Sequence, residues 1–340
     1  MGEKVVVTGA NGFVGSHLVE ALIAKGFDVH CVLRKSSNMQ WLQNLPITLH
    51  TCGVENVDAL KPILADAIYI YHIAGVVKAR SWEGYHHGNV VLTKNILEAT
   101  AGNKVIKGLV ITSSLACSAA TIQGSPVDEK TPSNPLTYYG KSKLEQEQLS
   151  LSYADRLPIT VVRPCVVYGE RDTEVFLFFK AMNSRILPSI GFDEKTLSMV
   201  YIHDLISGMI LAAESPNSKG KQYFLGGSED EYSWKQIGEI TGKYLNKNYL
   251  RIRVPHSLVF IVGHLAEFFA KVTGNIATIN SQKANEMVQK SWSCSSNRAK
   301  ADFNYAPKFS LDEGIKRSIE WYRKEKWLAS LRSTIKLLKL

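Results

Sequence analysis

The sequence predicts an α/β chain built on a doubly wound parallel sheet, with a smaller mixed α/β lobe towards its C-terminus. Three observations carry that reading. The first is Thr8-Gly9-Ala10-Asn11-Gly12-Phe13-Val14-Gly15, which follows the apolar run Val5-Val6-Val7 and precedes the helix-like run Ser16–Leu22. The second is the alternation of short apolar runs with helical segments as far as Tyr168, the spacing of parallel βαβ units. The third is the loosening of that alternation beyond Gly169. Residues 1–168 are therefore expected to form a Rossmann-type dinucleotide-binding domain to which 198–213 return. Residues 169–197 and 214–327 are expected to form the substrate lobe, and 328–340 a basic amphipathic tail.

The opening strand, glycine turn and helix start form a phosphate site in principle. A helix N-terminus presents free N–H groups and the positive end of the helix dipole. Gly9 would allow the turn, Gly12 would let the backbone approach a pyrophosphate, and Gly15 would let the helix pack against the strand. Asn11, Phe13 and Val14 complete the expected cofactor-binding loop. The next strand, Asp28–Leu33, ends at Arg34-Lys35-Ser36. Arg34 lies 19 residues beyond Gly15, and no Asp or Glu occurs between Leu33 and Asn44. An acid at this place would bind a ribose 2′-OH, whereas an Arg accommodates a 2′-phosphate. NADP(H) is expected in preference to NAD(H); a solvated basic strand end is the alternative.

Asp66–Gly75 reads as a further buried strand, and its His72 as a satisfied interior histidine, since no partner has metal-ligand spacing. Asn89–Ala99 reads as a crossover helix and Leu109–Thr112 as a strand running into Ser113-Ser114. Tyr138–Tyr153 reads as a helix that puts Tyr139 and Lys143, four residues apart, on one face. An ammonium beside a phenol lowers its pKa and makes it a usable acid or base. The same lysine can hold a nicotinamide ribose, and a serine at the preceding strand end can orient a substrate oxygen. Ile159–Arg163 is the next strand; Ser198–Ala213 resumes strand then helix.

Later segments carry no chemistry of their own. Residues 257–272 hold Leu258-Val259-Phe260-Ile261-Val262, too short an apolar stretch to span a bilayer. A buried or lid helix is the preferred reading, with membrane contact the alternative. Ser310-Leu311-Asp312-Glu313 is a capping box for a helix to about Trp327. Leu328, Leu331, Ile335 and Leu338 then stripe one face among Arg332, Lys336 and Lys339. That pattern suits either an interfacial membrane helix or a solvated tail.

Bulk numbers bound the rest. The chain has 340 residues, 45% apolar and 21% charged, ordinary values for a globular protein. Five widely spaced cysteines without a CxxC pair read as reduced thiols rather than a disulfide framework or zinc site, and no metal is expected. Of the +9 formal charge, +6 falls between Lys316 and Leu340, so no nucleic-acid partner is implied. A strand at the very N-terminus leaves no room for a signal peptide, so a cytoplasmic location is expected.

These motifs together resemble the extended short-chain dehydrogenase/reductase family. The resemblance rests on TGxxGxxG at Thr8–Gly15, Ser114, YxxxK at Tyr139–Lys143 and the 25-residue gap between Ser114 and Tyr139. Arg163-Pro164 with Tyr168-Gly169, and Tyr201-Ile202-His203-Asp204-Leu205, match further landmarks; coverage is about residues 4–325. The chain looks most like the 3β-hydroxysteroid dehydrogenase and dihydroflavonol reductase branch. The resemblance implies that Tyr139 is the acid/base, that Lys143 tunes it and anchors ribose, and that Ser114 donates to the substrate, with Ser113 the weaker candidate. It also implies a site asparagine at Asn89, cofactor contact at Pro164 and a homodimer. Departures are Gly53-Val54-Glu55 where Gly-Asp-Leu is frequent, His203 within the YVDD motif and Leu92 in place of a glycine.

Three functions are weighed. One is NADP(H)-linked oxidoreduction of a secondary alcohol or ketone on an apolar, ring-like, steroid- or flavonoid-like small molecule. The second is nucleotide-sugar epimerisation or dehydration. The third is non-catalytic cofactor sensing, which the retained Tyr–Lys pair disfavours. Val166 has no donor where sugar-nucleotide members often place an asparagine, which disfavours the second.

Overall fold

The computed structural model describes residues 2–121, 125–273 and 280–328. The chain opens with β1 (Lys4–Thr8), α1 (Phe13–Ala24), β2 (Asp28–Val32), β3 (Ile47–His50), α2 (Val57–Leu64) and β4 (Tyr69–His72). There follow the short α3 (Trp82–His86), a π-helical turn over His87–Val91, α4 (Leu92–Thr100), β5 (Gly108–Thr112), α5 (Tyr138–Leu151) and β6 (Ile159–Pro164). Next come β7 (Val166–Tyr168), α6 (Phe176–Asn183), β8 (Ile186–Ile190), β9 (Thr196–Leu197), β10 (Met199–Tyr201), α7 (Ile202–Glu214) and β11 (Lys221–Leu225). The C-terminal part holds β12 (Tyr232–Ser233), α8 (Trp234–Leu245), β13 (Leu250–Val254), α9 (His256–Thr273), α10 (Ser281–Met287), β14 (Ser291–Trp292), α11 (Asn297–Phe303) and α12 (Leu311–Lys324).

Seven of these strands make one sheet in the order β11-β6-β5-β4-β1-β2-β3, with every pairing parallel. Side chains alternate across it, so Val5 and Val7 join the core under α1 and α7, while Val6 joins Leu60, Ile96 and Leu97 under α2 and α4. Burial on both faces explains the near-continuous apolar runs in the sequence. The strand order reverses between β1 and β4, which opens a crevice at their carboxyl ends, the usual ligand position in such sheets.

The seventh strand, β11, comes from within the segment expected for the substrate lobe. It follows α7 after a short connection and pairs in parallel with β6, Lys221 opposite Thr160 through Leu225 opposite Pro164. The α7–β11 unit is thus a further crossover of the main sheet. The lobe itself is assembled from small sheets: β7 with β10, β9 with β12 and β14, and β8 with β13.

Ser310 caps α12 as expected, accepting from Glu313 N at 3.2 Å. Glu313 turns its own carboxylate to Arg317 at 2.8 Å instead of back to the cap. Of the amphipathic tail expected over 328–340, Leu328 is 2% exposed and belongs to the core; the remainder lies outside the described residues. The 257–272 segment, expected as a buried or lid helix, is not fully buried. It forms α9 with one face in contact with the protein and the other exposed. No helix among the described residues is long and apolar enough to cross a membrane.

Candidate active site

The three motif glycines have different physical jobs. Gly9 has φ +70°, and a Cβ there would stand 2.7 Å from Ala74 N. A Cβ on Gly15 would collide with Gly9 O at 2.1 Å, so this glycine lets α1 pack on the turn. A Cβ on Gly12 would meet only Gly9 O, at an ordinary 3.4 Å. Protein packing therefore does not demand glycine at 12; a group lying against the backbone would. Gly12 is the N-cap of α1 and no side chain caps it, which leaves the first-turn N–H groups of Phe13 and Val14 without intrahelical acceptors. Asn11, Phe13 and Val14 sit part-buried around this turn. These residues fit a dinucleotide pyrophosphate.

The register of β1 with β2 pairs Thr8 with Val32, so the chain leaving β2 at Arg34 runs beside the glycine turn. Arg34, Lys35 and Ser36 are exposed. No carboxylate pairs with either cation among the described residues.

The expected catalytic side chains come together at the carboxyl end of β5. Ser114 and Tyr139 both line a cavity of about 680 Å³, with Pro164 at the end of β6. Ser114 Oγ accepts from Ala116 N at 3.2 Å, capping a single 3-10 turn, so its proton remains free to donate. Ser113 is buried behind it, its hydroxyl unpartnered. The structure thus brings Ser114, not Ser113, to the cavity.

Lys143 Nζ donates to Thr112 O and to Gln146 Oε1, both at 2.8 Å. An ammonium carries three donors, which leaves one uncommitted. Burial lowers the Lys143 pKa to about 8, against the Glu147 carboxylate, which raises it. Tyr139 departs from the expectation that Lys143 pulls its phenol down. Burial pushes Tyr139 up to about 12, opposed by a hydrogen bond with Ser114. The ammonium is turned to Thr112 and Gln146, so its charge is spent elsewhere.

Gln146, which the sequence reading did not single out, begins a buried polar chain. Its Nε2 donates to Thr93 Oγ1 at 2.7 Å, and the Thr93 hydroxyl donates to Asn89 O at 2.6 Å. With that proton committed, Thr93 can only accept from His72 Nε2, 2.9 Å away. His72 Nδ1, 2.8 Å from Thr8 Oγ1, must then accept. His72 is fully buried, and burial lowers its pKa to about 3, so it is the satisfied neutral histidine expected. Asn89 ties the Val76 backbone to α5: its Oδ1 accepts from Val76 N at 2.7 Å and its Nδ2 donates to Ser142 Oγ at 2.9 Å.

One turn beyond Lys143, Glu147 forms a buried bidentate pair with Arg163 on β6, at 2.9 and 2.5 Å. The four-residue step from Lys143 to Glu147 was legible as a shared helix face; the partner on β6 was not.

The cavity walls are chiefly apolar, including Leu177, Phe178, Leu197, Trp234, Met287 and Trp292, together with Val166. Its two lysines are engaged. Lys195 Nζ donates to Val288 O and Gln289 O, at 2.9 and 2.5 Å, and Lys283 pairs with Glu286 at 2.6 Å. Away from the cavity, His17, Glu170 and His203 each bring one ligand atom within 4.8 Å of the others. Arg171 stands at the same cluster and acts on His17 electrostatically, and a guanidinium there opposes a cation.

The match to known proteins agrees with this geometry. Residues 5–226 match the model of the NAD dependent epimerase/dehydratase family. The chain is 28% identical to the ceramide reductase of Caulobacter vibrioides, over 95% of this chain and 96% of that protein. It is 24% identical to the decarboxylating sterol-4-alpha-carboxylate 3-dehydrogenase of Mus musculus, over 95% of this chain and 93% of that protein. Among solved structures, UDP-glucuronic acid 4-epimerase from Bacillus cereus, in complex with UDP-glucuronic acid and NAD, superposes with a TM-score of 0.76 at 24% identity, covering 95% of this chain and 99% of that one. The glycine turn, the Tyr139–Lys143 helix and the seven-stranded sheet are those of an enzyme, and the chain belongs to the NAD-dependent epimerase/dehydratase family, within the extended short-chain dehydrogenases/reductases.

Proposed function

We propose that the protein is an NADP(H)-dependent oxidoreductase that interconverts a secondary alcohol and a ketone on an apolar, ring-like small molecule, steroid- or flavonoid-like in character. The observation that carries this reading is the cavity at Ser114 and Tyr139: its walls are chiefly apolar, and of its two lysines Lys283 is paired with Glu286 and Lys195 is held on two backbone carbonyls. Apolar walls with a few convergent polar groups suit an apolar ligand. A nucleoside diphosphate would need uncommitted cations or amide donors, and Val166 offers none. The names of the ceramide and sterol relatives fit an apolar substrate, and the sterol name alone fits a ring-like one.

In this reading the nicotinamide supplies or accepts the hydride. Tyr139 Oη gives its proton to the substrate oxygen in reduction and takes it in oxidation. Ser114 Oγ donates to the same oxygen and fixes its direction. Lys143 would hold the cofactor ribose with its third N–H. Pro164, in the cavity wall, would contact the nicotinamide end, and the turn from Gly9 to Gly15 would hold the pyrophosphate. Arg34, with Lys35 and Ser36, binds the 2′-phosphate by charge-assisted hydrogen bonds.

The test is to purify the protein, identify any retained nucleotide and titrate NADPH and NADH by fluorescence. Exchangeable binding that favours NADPH, followed by turnover of sterol-like or flavonoid-like ketones, is the expected result. Tightly retained NAD together with conversion of a UDP-sugar would replace it with the epimerase reading.

A further inference from the structure

Among the described residues, α9 carries five of the exposed large apolar side chains. Leu258, Ile261, Val262, Leu265 and Phe269 are 46, 54, 44, 53 and 61% exposed. Their steps of three, one, three and four residues place them on one continuous helical face. The opposite face is docked: Val259 is 7% exposed, a Cβ on Gly263 would stand 3.2 Å from the Asn280 carbonyl, and Glu267 accepts from Ser281 Oγ at 3.1 Å. The exposed stripe is therefore held outward by a packed inner face. Just before it, Leu250 and Ile252 on β13 add 70 and 41% exposed side chains.

The sequence around this stripe has a basic excess. From Lys243 to Lys290 there are seven Lys or Arg and two acids, Glu267 and Glu286. Glu267 bonds Ser281 and Glu286 pairs with Lys283, while Lys243, Arg251 and Lys290 pair with Asp312, Glu194 and Asp193, so the unpaired excess among the described residues is smaller and includes Arg253 and Lys247. A self-complementary contact would set two such cationic segments against each other, whereas an anionic lipid surface attracts them. An apolar helical face with flanking cations, too short and too broken to span, is the pattern of a helix lying in the membrane interface.

We propose that α9 docks the protein on an anionic phospholipid surface, with Leu258, Ile261, Val262, Leu265 and Phe269 entering the acyl boundary. The helix lies in the plane of the surface. Its neighbour α10 contributes Lys283, Glu286 and Met287 to the cavity wall and holds the start of the Tyr139 helix, Tyr138 N donating to Gln282 Oε1 at 2.6 Å. The α9–α10 pair thus joins the lipid-facing surface to the reaction cavity. This surface goes beyond the oxidoreductase reading, because lipid binding is measured without turnover.

The experiment is co-sedimentation of the full chain with phosphatidylcholine vesicles, with and without phosphatidylglycerol. Binding is expected to the anionic vesicles and to weaken with salt. Ile261→Glu with Leu265→Glu is expected to reduce it by about tenfold or more while NADPH binding, which reports the folded nucleotide domain, stays unchanged. Lys336→Glu with Lys339→Glu is expected to leave most of it. Four results would overturn the proposal: no sedimentation with anionic vesicles; full sedimentation of the Ile261/Leu265 variant; complete loss in the Lys336/Lys339 variant; or no vesicle binding alongside a dimer in sedimentation velocity that the Ile261/Leu265 variant abolishes.

Discussion

Lys143 and Gln146 sit one helical turn apart on α5, and the Lys143 ammonium donates to the Gln146 side-chain carbonyl at 2.8 Å. The Gln146 amide donates in turn to Thr93, on which His72 also bonds. The proton directions at Thr93 and His72 are fixed, and the Lys143 ammonium keeps a third N–H uncommitted.

The pH dependence should report this arrangement. Burial lowers the Lys143 pKa to about 8, so the ammonium is present below that pH and is lost as pH rises through it. The log of kcat/KM for ketone reduction is expected to fall above about pH 8. Gln146→Leu removes an acceptor from the charged form, so it should move that limb to lower pH. A limb that stays in place in the variant would show that Gln146 does not tune the lysine.

Tyr139→Phe removes the proton donor and leaves the ring. NADPH titration should be unchanged within error, and turnover should drop by about 10²–10⁴-fold, the usual worth of a positioned general acid. Retained turnover would remove Tyr139 from the chemistry.

The two serines separate cleanly. Ser114 faces the cavity, its hydroxyl bonded with Tyr139 and with Ala116 N, while Ser113 is 3% exposed and its hydroxyl has no partner. Ser114→Ala should lower kcat by about 10²–10³-fold, in the range seen when one preorganised donor is removed. Ser113→Ala should leave kcat nearly unchanged. The reverse order would reassign the substrate donor.

Arg34→Asp should weaken NADPH by about 10–100-fold, as for losing a hydrogen bond to a charged group, and should improve NADH. Fluorescence titration of both nucleotides decides it. An unchanged ratio would make Arg34 the solvated strand end that the sequence alone leaves open.

The sheet and the site positions were legible in different degrees for physical reasons. Strands buried on both faces write themselves as apolar runs, so β1, β2, β4, β5 and β6 could be read directly. Lys221–Leu225 begins with two polar residues and lies beyond the point where the alternation loosens, so its place in the main sheet became visible only through its pairing with β6. Tyr139 and Lys143 were legible because helix spacing sets them on one face. What the ammonium touches was not, because Thr112 O and Gln146 compete for it and competition between acceptors leaves no periodic trace. The outward stripe of α9 looked like core, since an apolar run does not say which side of a helix the protein covers.

The buried pair of Glu147 and Arg163 gives the last prediction. Their side chains are 3 and 5% exposed, and Arg163 also lies over the Phe224 ring at 5.2 Å. Removing one partner strands the other charge in a low dielectric, which costs about 3–5 kcal/mol. Replacing both with apolar residues of similar volume removes the stranded charge along with the attraction and is often close to neutral. Glu147→Leu alone and Arg163→Met alone should therefore each lower the urea midpoint strongly, and the double variant should recover most of that loss. Glu147 raises the Lys143 pKa, so the double variant should also move the alkaline limb of kcat/KM to lower pH. Recovery of stability without that shift would mean that the pair holds the fold and leaves the lysine alone.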